Sequence, residues 1–169
     1  MLDGLHHARN ILASASADKQ VKIWDVQTGK CDITMEHNTE KQVQAVAWNH
    51  HEPQVLSGYF DRSVVMDGRA PSDPGFKWSV TADVESLAWD PHDKHLFVIS
   101  LQVSLEDGTV QGFDIRAAKS ESGSDLKPSF TPCTRQNYKM GAVFSISFSE
   151  DDPFLLTMGG SMGKLQEVW

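Results

Sequence analysis

The side chains that could support catalysis or metal binding fall into small, separate sets. Two pairs of adjacent histidines, His6-His7 and His50-His51, could present imidazole nitrogens to a metal ion. Neighbouring residues of a strand point to opposite faces, so one pair cannot easily hold one ion. No cysteine or carboxylate accompanies either pair at the spacing of a metal site. We therefore expect no metal site.

The dipeptide Gly163-Lys164 also occurs in phosphate-binding loops, but the rest of that motif is missing. The loop needs a glycine five residues before Gly163 and a serine or threonine after the lysine. This chain has Met158 and Leu165 at those places. It also contains no Gly-x-Ser-x-Gly turn of the kind that exposes a nucleophilic serine. The sequence thus predicts no enzyme activity, no cofactor and no small-molecule substrate.

Three similar six-residue segments predict that the chain is built from repeats. Val43–Trp48 and Val84–Trp89 begin 41 residues apart, and Val143–Phe148 is a third copy. Each copy leads into a turn that contains proline and aspartate, asparagine or histidine. Short strands between such turns, repeated at a period near 40 residues, are typical of the blades of a β-propeller.

The 169 residues supply about four such blades. We expect an all-β, partial or open propeller with blades at about residues 8–36, 43–80, 84–131 and 143–169. The first blade is expected to lack its inner strand, the last to be incomplete, and the second to have its outer strand near 77–80. Because the third and fourth inner strands are unusually far apart, residues 117–140 are predicted to be an exposed loop or the junction of a lost blade.

Asn10–Asp25 resembles a WD repeat, with a short strand, a turn that holds Asp18, and a second strand that ends in Trp24-Asp25. With Val43–Arg69 and Gly141–Gly160, it makes the chain resemble the C-terminal half of the periodic tryptophan protein 1 family, in a plant-like form. In WD repeats a turn aspartate, a histidine, a hydroxyl and a tryptophan form a buried polar network that satisfies donors and acceptors between strands. The resemblance implies this structural role, and not that of a hydrolase triad, for the matching residues. They are Ser14 (or Ser16), Asp18, Trp24, Asp25, His37, Ser57, Asp61, Asp107, Phe113 and Asp114.

The spacing within this set is irregular. The turn aspartate precedes the closing aspartate by seven residues in Asp18–Asp25 and Asp107–Asp114, but by six in Asp61–Asp67. The tryptophan position of the second blade falls at Met66 or Asp67, and Phe113 replaces tryptophan in the third. A change of one residue turns side chains to the other face unless a bulge absorbs it. The pattern therefore predicts repeats that have drifted.

Composition limits the kinds of partner. The formal net charge is −8 and the pI is about 5.2, which disfavours long-range attraction to nucleic acid. The chain has no basic run and no apolar stretch long enough to cross a bilayer. Because Met1–His7 lacks an apolar stretch, we expect no signal peptide. Cys31 and Cys133 are too few for a disulfide framework and are expected to be free thiols. We expect a soluble protein of a reducing, intracellular compartment.

The expected function is a non-catalytic scaffold that binds other proteins. The family resemblance implies a nuclear, largely nucleolar protein of ribosome biogenesis and ribosomal-RNA processing or transcription, with histones or pre-ribosomal factors as partners. The cytoplasm is the alternative location. Phe113-Asp-Ile-Arg116, and less clearly Met66-Asp-Gly-Arg69, also resemble the motif by which WD proteins dock on cullin-4 ubiquitin-ligase adaptors. Arg116 and Arg69 are therefore candidate partner-binding residues, against the simpler interpretation of a solvated turn arginine. A truncated gene product without independent function is the third alternative.

Overall fold

Antiparallel strands dominate the computed structural model, which describes residues 10–35, 41–68, 76–104, 107–117, 132–163 and 165–168. These strands form four sheets, which we call blades one to four: β1–β3, β4–β7, β8–β11 and β12–β14. Within the described ranges, no helix has the length and apolar character to span a bilayer. The strands are β1 (Ile11–Ala15), β2 (Val21–Asp25), β3 (Lys30–Met35), β4 (Val43–Trp48), β5 (Val55–Tyr59), β6 (Ser63–Asp67), β7 (Phe76–Ser79), β8 (Asp83–Trp89), β9 (Leu96–Ser104), β10 (Asp107–Asp114), β11 (Thr134–Asn137), β12 (Val143–Phe148), β13 (Leu156–Gly160) and β14 (Leu165–Val168).

The turns between strands use the aspartates and asparagines that the sequence places there. Asp18 accepts the backbone N–H of Gln20 at 3.1 Å, and the following Lys19 has a positive φ of 72°. Asp61 does the same for Ser63 at 3.0 Å, with Arg62 at a φ of 62°. An aspartate that bonds the backbone two residues on is typical of a tight turn. These side chains therefore fix where each strand reverses.

A second kind of turn follows each inner strand. Asn49 Oδ1 accepts the backbone N–H groups of the residues two and three positions on, at 2.9 and 3.2 Å. Asp90 Oδ1 and Ser149 Oγ make the same two bonds in blades three and four. The inner strands of blades two to four therefore each end in a turn that is capped in the same way.

Successive blades pack face to face through three apolar clusters, one at each junction, and the sheets do not close into a ring. Alternating apolar residues of each strand face one neighbouring blade or the other, as the period of two in a strand requires. The buried members are Val21, Ile23, Met35, Val43, Val55, Tyr59 and Val65 between blades one and two; Leu56, Val64, Trp78, Ala82, Val84, Leu87, Trp89, Phe97, Ile99, Leu101 and Phe113 between two and three; and Val98, Val110, Met140, Val143, Ile146, Leu156 and Met158 between three and four.

The segment 117–140 contains a strand that the sequence did not predict. β11 pairs with β10, with Gly112 opposite Thr134, and forms the outer strand of blade three. The prediction of a loop or a lost-blade junction is therefore wrong for Thr134–Asn137. Four polar, exposed residues lack the apolar alternation by which a strand is recognised, which explains the error. Residues 118–131 lie outside the described residues. The outer strand of blade two runs over Phe76–Ser79, one residue earlier than expected.

Candidate functional site

In blade one the predicted network residues form two separate hydrogen-bonded pairs. Trp24 Nε1 donates to Ser14 Oγ at 2.8 Å, whereas Ser16 Oγ accepts the backbone N–H of Asp18 at 3.2 Å. The Ser16 hydroxyl also lowers the pKa of Asp18, helped by the backbone N–H of Gln20. Of the two hydroxyls considered from the sequence, Ser14 is thus the partner of Trp24.

Asp25, the closing aspartate of blade one, caps the turn after β2. Its Oδ1 accepts the backbone N–H groups of Gln27 at 2.8 Å and Thr28 at 3.2 Å, and these bonds lower its pKa. The carboxylates of Asp18 and Asp25 are thus held in turns at opposite ends of β2, and neither faces a histidine among the described residues.

In blade two the predicted residues Ser57 and Asp61 also do not meet. The buried Ser57 hydroxyl donates to Tyr59 Oη and to the Val65 carbonyl oxygen, each at 3.4 Å. Asp61 instead accepts from the backbone and hydroxyl of Ser63 and lies 3.8 Å from Lys77 Nζ. His37 and Arg69 lie outside the described residues, so their predicted roles stay predictions.

Burial of Tyr59 makes the stability of the fold depend on pH. Burial raises the pKa of Tyr59 to about 12, whereas an unfolded tyrosine titrates near about 10. Between these values the folded chain holds the phenol proton that the unfolded chain has lost, so stability falls as the pH rises. We expect a loss of at most about 1.4 kcal/mol per pH unit between pH 10 and pH 12, measured by urea unfolding. Tyr59→Phe should flatten most of this slope, and an unchanged slope in that variant would contradict the assignment.

The strand register decides which residue takes the place of Trp24 in the next two blades. Asp67 and Phe113 each follow their turn aspartate by six residues, as Trp24 follows Asp18. Asp67 therefore takes the tryptophan position and is not a closing aspartate that comes one residue early. Its neighbour Met66 lies on the other face of the sheet and packs toward blade three. In blade three a register shift between Asp107 and Gly108 takes up one residue of β9, because Asp107 pairs with Ser104 and Gly108 with Gln102. The cross-strand pairs at this position are Leu12 with Trp24, Val55 with Asp67, and Phe97 with Phe113.

Aromatic packing replaces the polar pair in blade three. Phe113 stacks on Phe97 with ring centroids 5.4 Å apart and planes at 11°. Trp78 and Trp89 surround Phe97 at centroid distances of 5.8 and 5.1 Å. Ile99 lies where blade one has Ser14, so no hydroxyl is required there. Phe113 contributes to this cluster through ring packing and dispersion and not through a hydrogen bond.

Arg116 is held by carboxylates of its own chain. Its Nε donates to both oxygens of Asp114, at 2.8 and 3.0 Å, and its Nη2 contacts Asp114 at 2.7 Å and Asp93 at 3.0 Å. Bonding to Arg116 lowers the pKa of Asp114. The guanidinium fork therefore already has bidentate partners, as a turn arginine does. Docking on a cullin-4 adaptor stays a prediction, for which this geometry offers no support.

One feature that sequence analysis missed is a row of bulged residues on the inner strands. The pairing registers of β4, β8 and β12 each shift across one residue, between Val43 and Ala45, between Val84 and Ser86, and between Val143 and Ser145. The residues left without a paired partner are Gln44, Glu85 and Phe144. A bulge turns a side chain out of the ladder and is common at binding sites. The sequence signal was present, since these are the second positions of the three repeated segments.

The three bulged residues lie near the start of the inner strands, at the end of the blades that holds the Asp18 and Asp61 turns. There the Val43 N–H donates to the Ser16 carbonyl oxygen at 3.2 Å, and Arg62 lies 3.6 Å from Asp83. We call the row of blades the arc, and this end of it one mouth. Gln44 Nε2 donates to Glu85 Oε2 at 3.5 Å, which joins the inner strands of blades two and three. Phe144, on the next inner strand, is 55% exposed. We call Gln44, Glu85 and Phe144 the mouth triad. It combines an amide, a carboxylate and an exposed ring, which suits contact with another protein.

The opposite mouth is occupied by contacts between the capped turns. His51 Nε2 lies 2.7 Å from the Pro91 carbonyl oxygen, and His92 Nε2 lies 3.1 Å from that of Ser149. Because a carbonyl only accepts, each imidazole must carry its proton on Nε2. These histidines link neighbouring blades and are not arranged to bind a metal. Within the described ranges, no three histidine, cysteine, aspartate or glutamate side chains come close enough to hold one.

These blades and turns define the class of the protein by its fold: the chain has the blade architecture of a β-propeller, with sheets that are not closed. The family described as WD domain, G-beta repeat, matches residues 2–25 and 29–66. The fold also matches a chain of the crystal structure of the mitotic checkpoint complex, with a TM-score of 0.70 and 20% identity over 94% of this chain and 45% of that one. At this identity the likeness shows the fold alone.

Among individual proteins, the chain is similar to the periodic tryptophan protein 1 homolog of Drosophila melanogaster. The two are 28% identical over 95% of this chain and 32% of the relative. An uncharacterized WD repeat-containing protein of Schizosaccharomyces pombe is 28% identical over 99% of this chain and 39% of its own length. Eukaryotic translation initiation factor 3 subunit I of Botryotinia fuckeliana is 29% identical over 83% and 44%. The chain thus spans about a third to under a half of these relatives.

Proposed function

We propose that this chain is a non-catalytic protein-binding scaffold of the nucleus, concentrated in the nucleolus, that acts in ribosome biogenesis. The mouth triad carries the binding part of the proposal, because three successive blades each direct one side chain out of the sheet at the same end. Clustered residues of mixed polar and aromatic character on a rigid scaffold suit partner recognition. The similarity to periodic tryptophan protein 1, which spans nearly the whole chain, supports the cellular role.

The test follows the tagged chain in cells and on sucrose gradients. We expect nucleolar localisation and co-sedimentation with pre-ribosomal particles. A variant with Gln44, Glu85 and Phe144 all changed to alanine should reduce the particle-bound fraction about tenfold, as loss of a central contact cluster does. The matched control changes His50, Glu150 and Phe154 at the opposite mouth to alanine and should sediment as the unaltered chain does.

Two results would count against the proposal. A chain that is spread evenly through the cytoplasm and sediments only at the top of the gradient would exclude the ribosomal role. Equal losses in the two triple variants would mean that the mouth triad does not form the binding surface. Circular dichroism of both variants establishes that the sheets are retained.

A further inference from the structure

Glu85 differs from the other carboxylates at its mouth of the arc. Asp83 pairs with Arg62 at 3.6 Å, and Asp61 lies 3.8 Å from Lys77. Within the described part of the chain, no lysine, arginine or histidine lies within ion-pair distance of Glu85. Its polar contact is the Gln44 amide at 3.5 Å, the long end of the hydrogen-bond range. The carboxylate is thus half-buried and weakly bonded.

The surroundings of Glu85 disfavour its charged form. Burial raises its pKa, the Gln44 amide opposes this, and the negative charge of Asp83 raises it further. A half-buried carboxylate that has no cation beside it is stabilised when a cation binds, because water screens the interaction less there than at an open surface. A carboxylate of a partner would instead be repelled by the negative charges of Asp83 and Glu85.

Phe144, the third member of the mouth triad, also favours a cationic ligand. Phe144 presents an exposed ring on the inner strand next to that of Glu85. The face of an aromatic ring attracts a lysine ammonium or an arginine guanidinium. The net charge of −8 also favours the approach of a basic partner.

We infer that Glu85 and Phe144 receive a basic side chain, lysine or arginine, from the protein that docks at this mouth. Glu85 pairs with the cationic group, Phe144 covers it, and Gln44 keeps the carboxylate in place. This inference rests on the proposed function, because it requires a protein partner. It adds the chemistry of the contact, a basic segment, and the residues that select it.

The test uses the whole chain and a fluorescein-labelled peptide of alternating glycine and lysine. A peptide of alternating glycine and glutamine is the neutral control, and binding is followed by fluorescence anisotropy. Glu85→Gln should weaken binding of the lysine peptide about tenfold, the range for loss of a charge-assisted contact. Glu150→Gln, the same charge change at the opposite mouth, should leave it unchanged. Phe144→Ala should weaken it about threefold, and Phe154→Ala should not.

A carbodiimide, which joins a carboxylate to an amine in contact with it, maps the site independently. The lysine peptide should be found on Glu85 by mass spectrometry, and this product should disappear in Glu85→Gln. No binding by the unaltered chain, equal weakening in Glu85→Gln and Glu150→Gln, or coupling elsewhere would overturn the inference. If the peptide binds as expected but the chain does not sediment with pre-ribosomal particles, the inference stands and the ribosomal role fails.

Discussion

Replacing Phe113 by alanine is expected to lower the free energy of unfolding by about 3 to 5 kcal/mol. Phe113 is 1% exposed and stacks on Phe97, which also touches Trp78 and Trp89. Alanine would leave a cavity in the middle of the contact between blades two and three. A loss of this size is a large share of the stability of an ordinary domain. Urea unfolding followed by tryptophan fluorescence measures it.

The matched control is Phe154→Ala. Phe154 is 73% exposed in the turn after β12, so its removal should change stability by less than about 0.5 kcal/mol. If Phe113→Ala is unfolded without denaturant, Phe113→Leu provides a graded loss. Similar losses for the Phe113 and Phe154 variants would mean that the aromatic cluster does not hold the blades together.

A double-mutant cycle tests whether the aromatic contact of blade three and the polar pair of blade one occupy equivalent positions. Phe113→Trp alone would bury an indole N–H opposite Ile99, which offers no acceptor. Adding Ile99→Ser recreates the pair seen in Ser14 and Trp24, which are 2.8 Å apart. The double variant should therefore be more stable than the two single effects predict, by about 1 kcal/mol. Simple additivity would argue that the two blades are not equivalent at this position.

Replacing Gly108 by valine is expected to cost about 3 kcal/mol or more, because the side chain has no room. A Cβ at Gly108 would press on the carbonyl oxygen of Gly141 and lie 2.9 Å from the backbone nitrogen of Val143. These are backbone atoms that lead into the inner strand of blade four, so they cannot move aside cheaply. Denaturant unfolding again measures the loss.

Gly159→Val is the matched control for this substitution. Gly159 is also in a strand, and a Cβ there would find its nearest neighbour, Ser145 Cβ, at 4.0 Å. Valine should be tolerated at this position, since it suits a strand better than glycine. Equal losses at Gly108 and Gly159 would show that the cost comes from the strand and not from the close approach of blades three and four.

The polar residues of the WD pattern could be found from the sequence, but their pairing could not. Ser14, Asp18 and Trp24 occur at spacings that local turn chemistry explains. Whether Met66 or Asp67 takes the tryptophan position depends on strand register, which is set by the partner strand and by packing on the neighbouring blade. The count of six residues from Asp61 favours Asp67, but an aspartate there also resembles a closing aspartate, so the sequence left both residues open.

By itself, the sequence determined the class of this protein. Strands of period two, turns with aspartate and asparagine, and three copies of one inner strand predict a propeller because these signals act within a few residues. Only the tertiary structure decided what these elements make together. The fourth strand of blade three, the aromatic cluster at Phe113 and the mouth triad all depend on contacts between segments far apart in sequence. The pairing of β11 and the packing of Phe113 leave no local periodicity that spacing could reveal. The triad residues do share the second position of each repeated segment, but only the strand register shows that they are bulged.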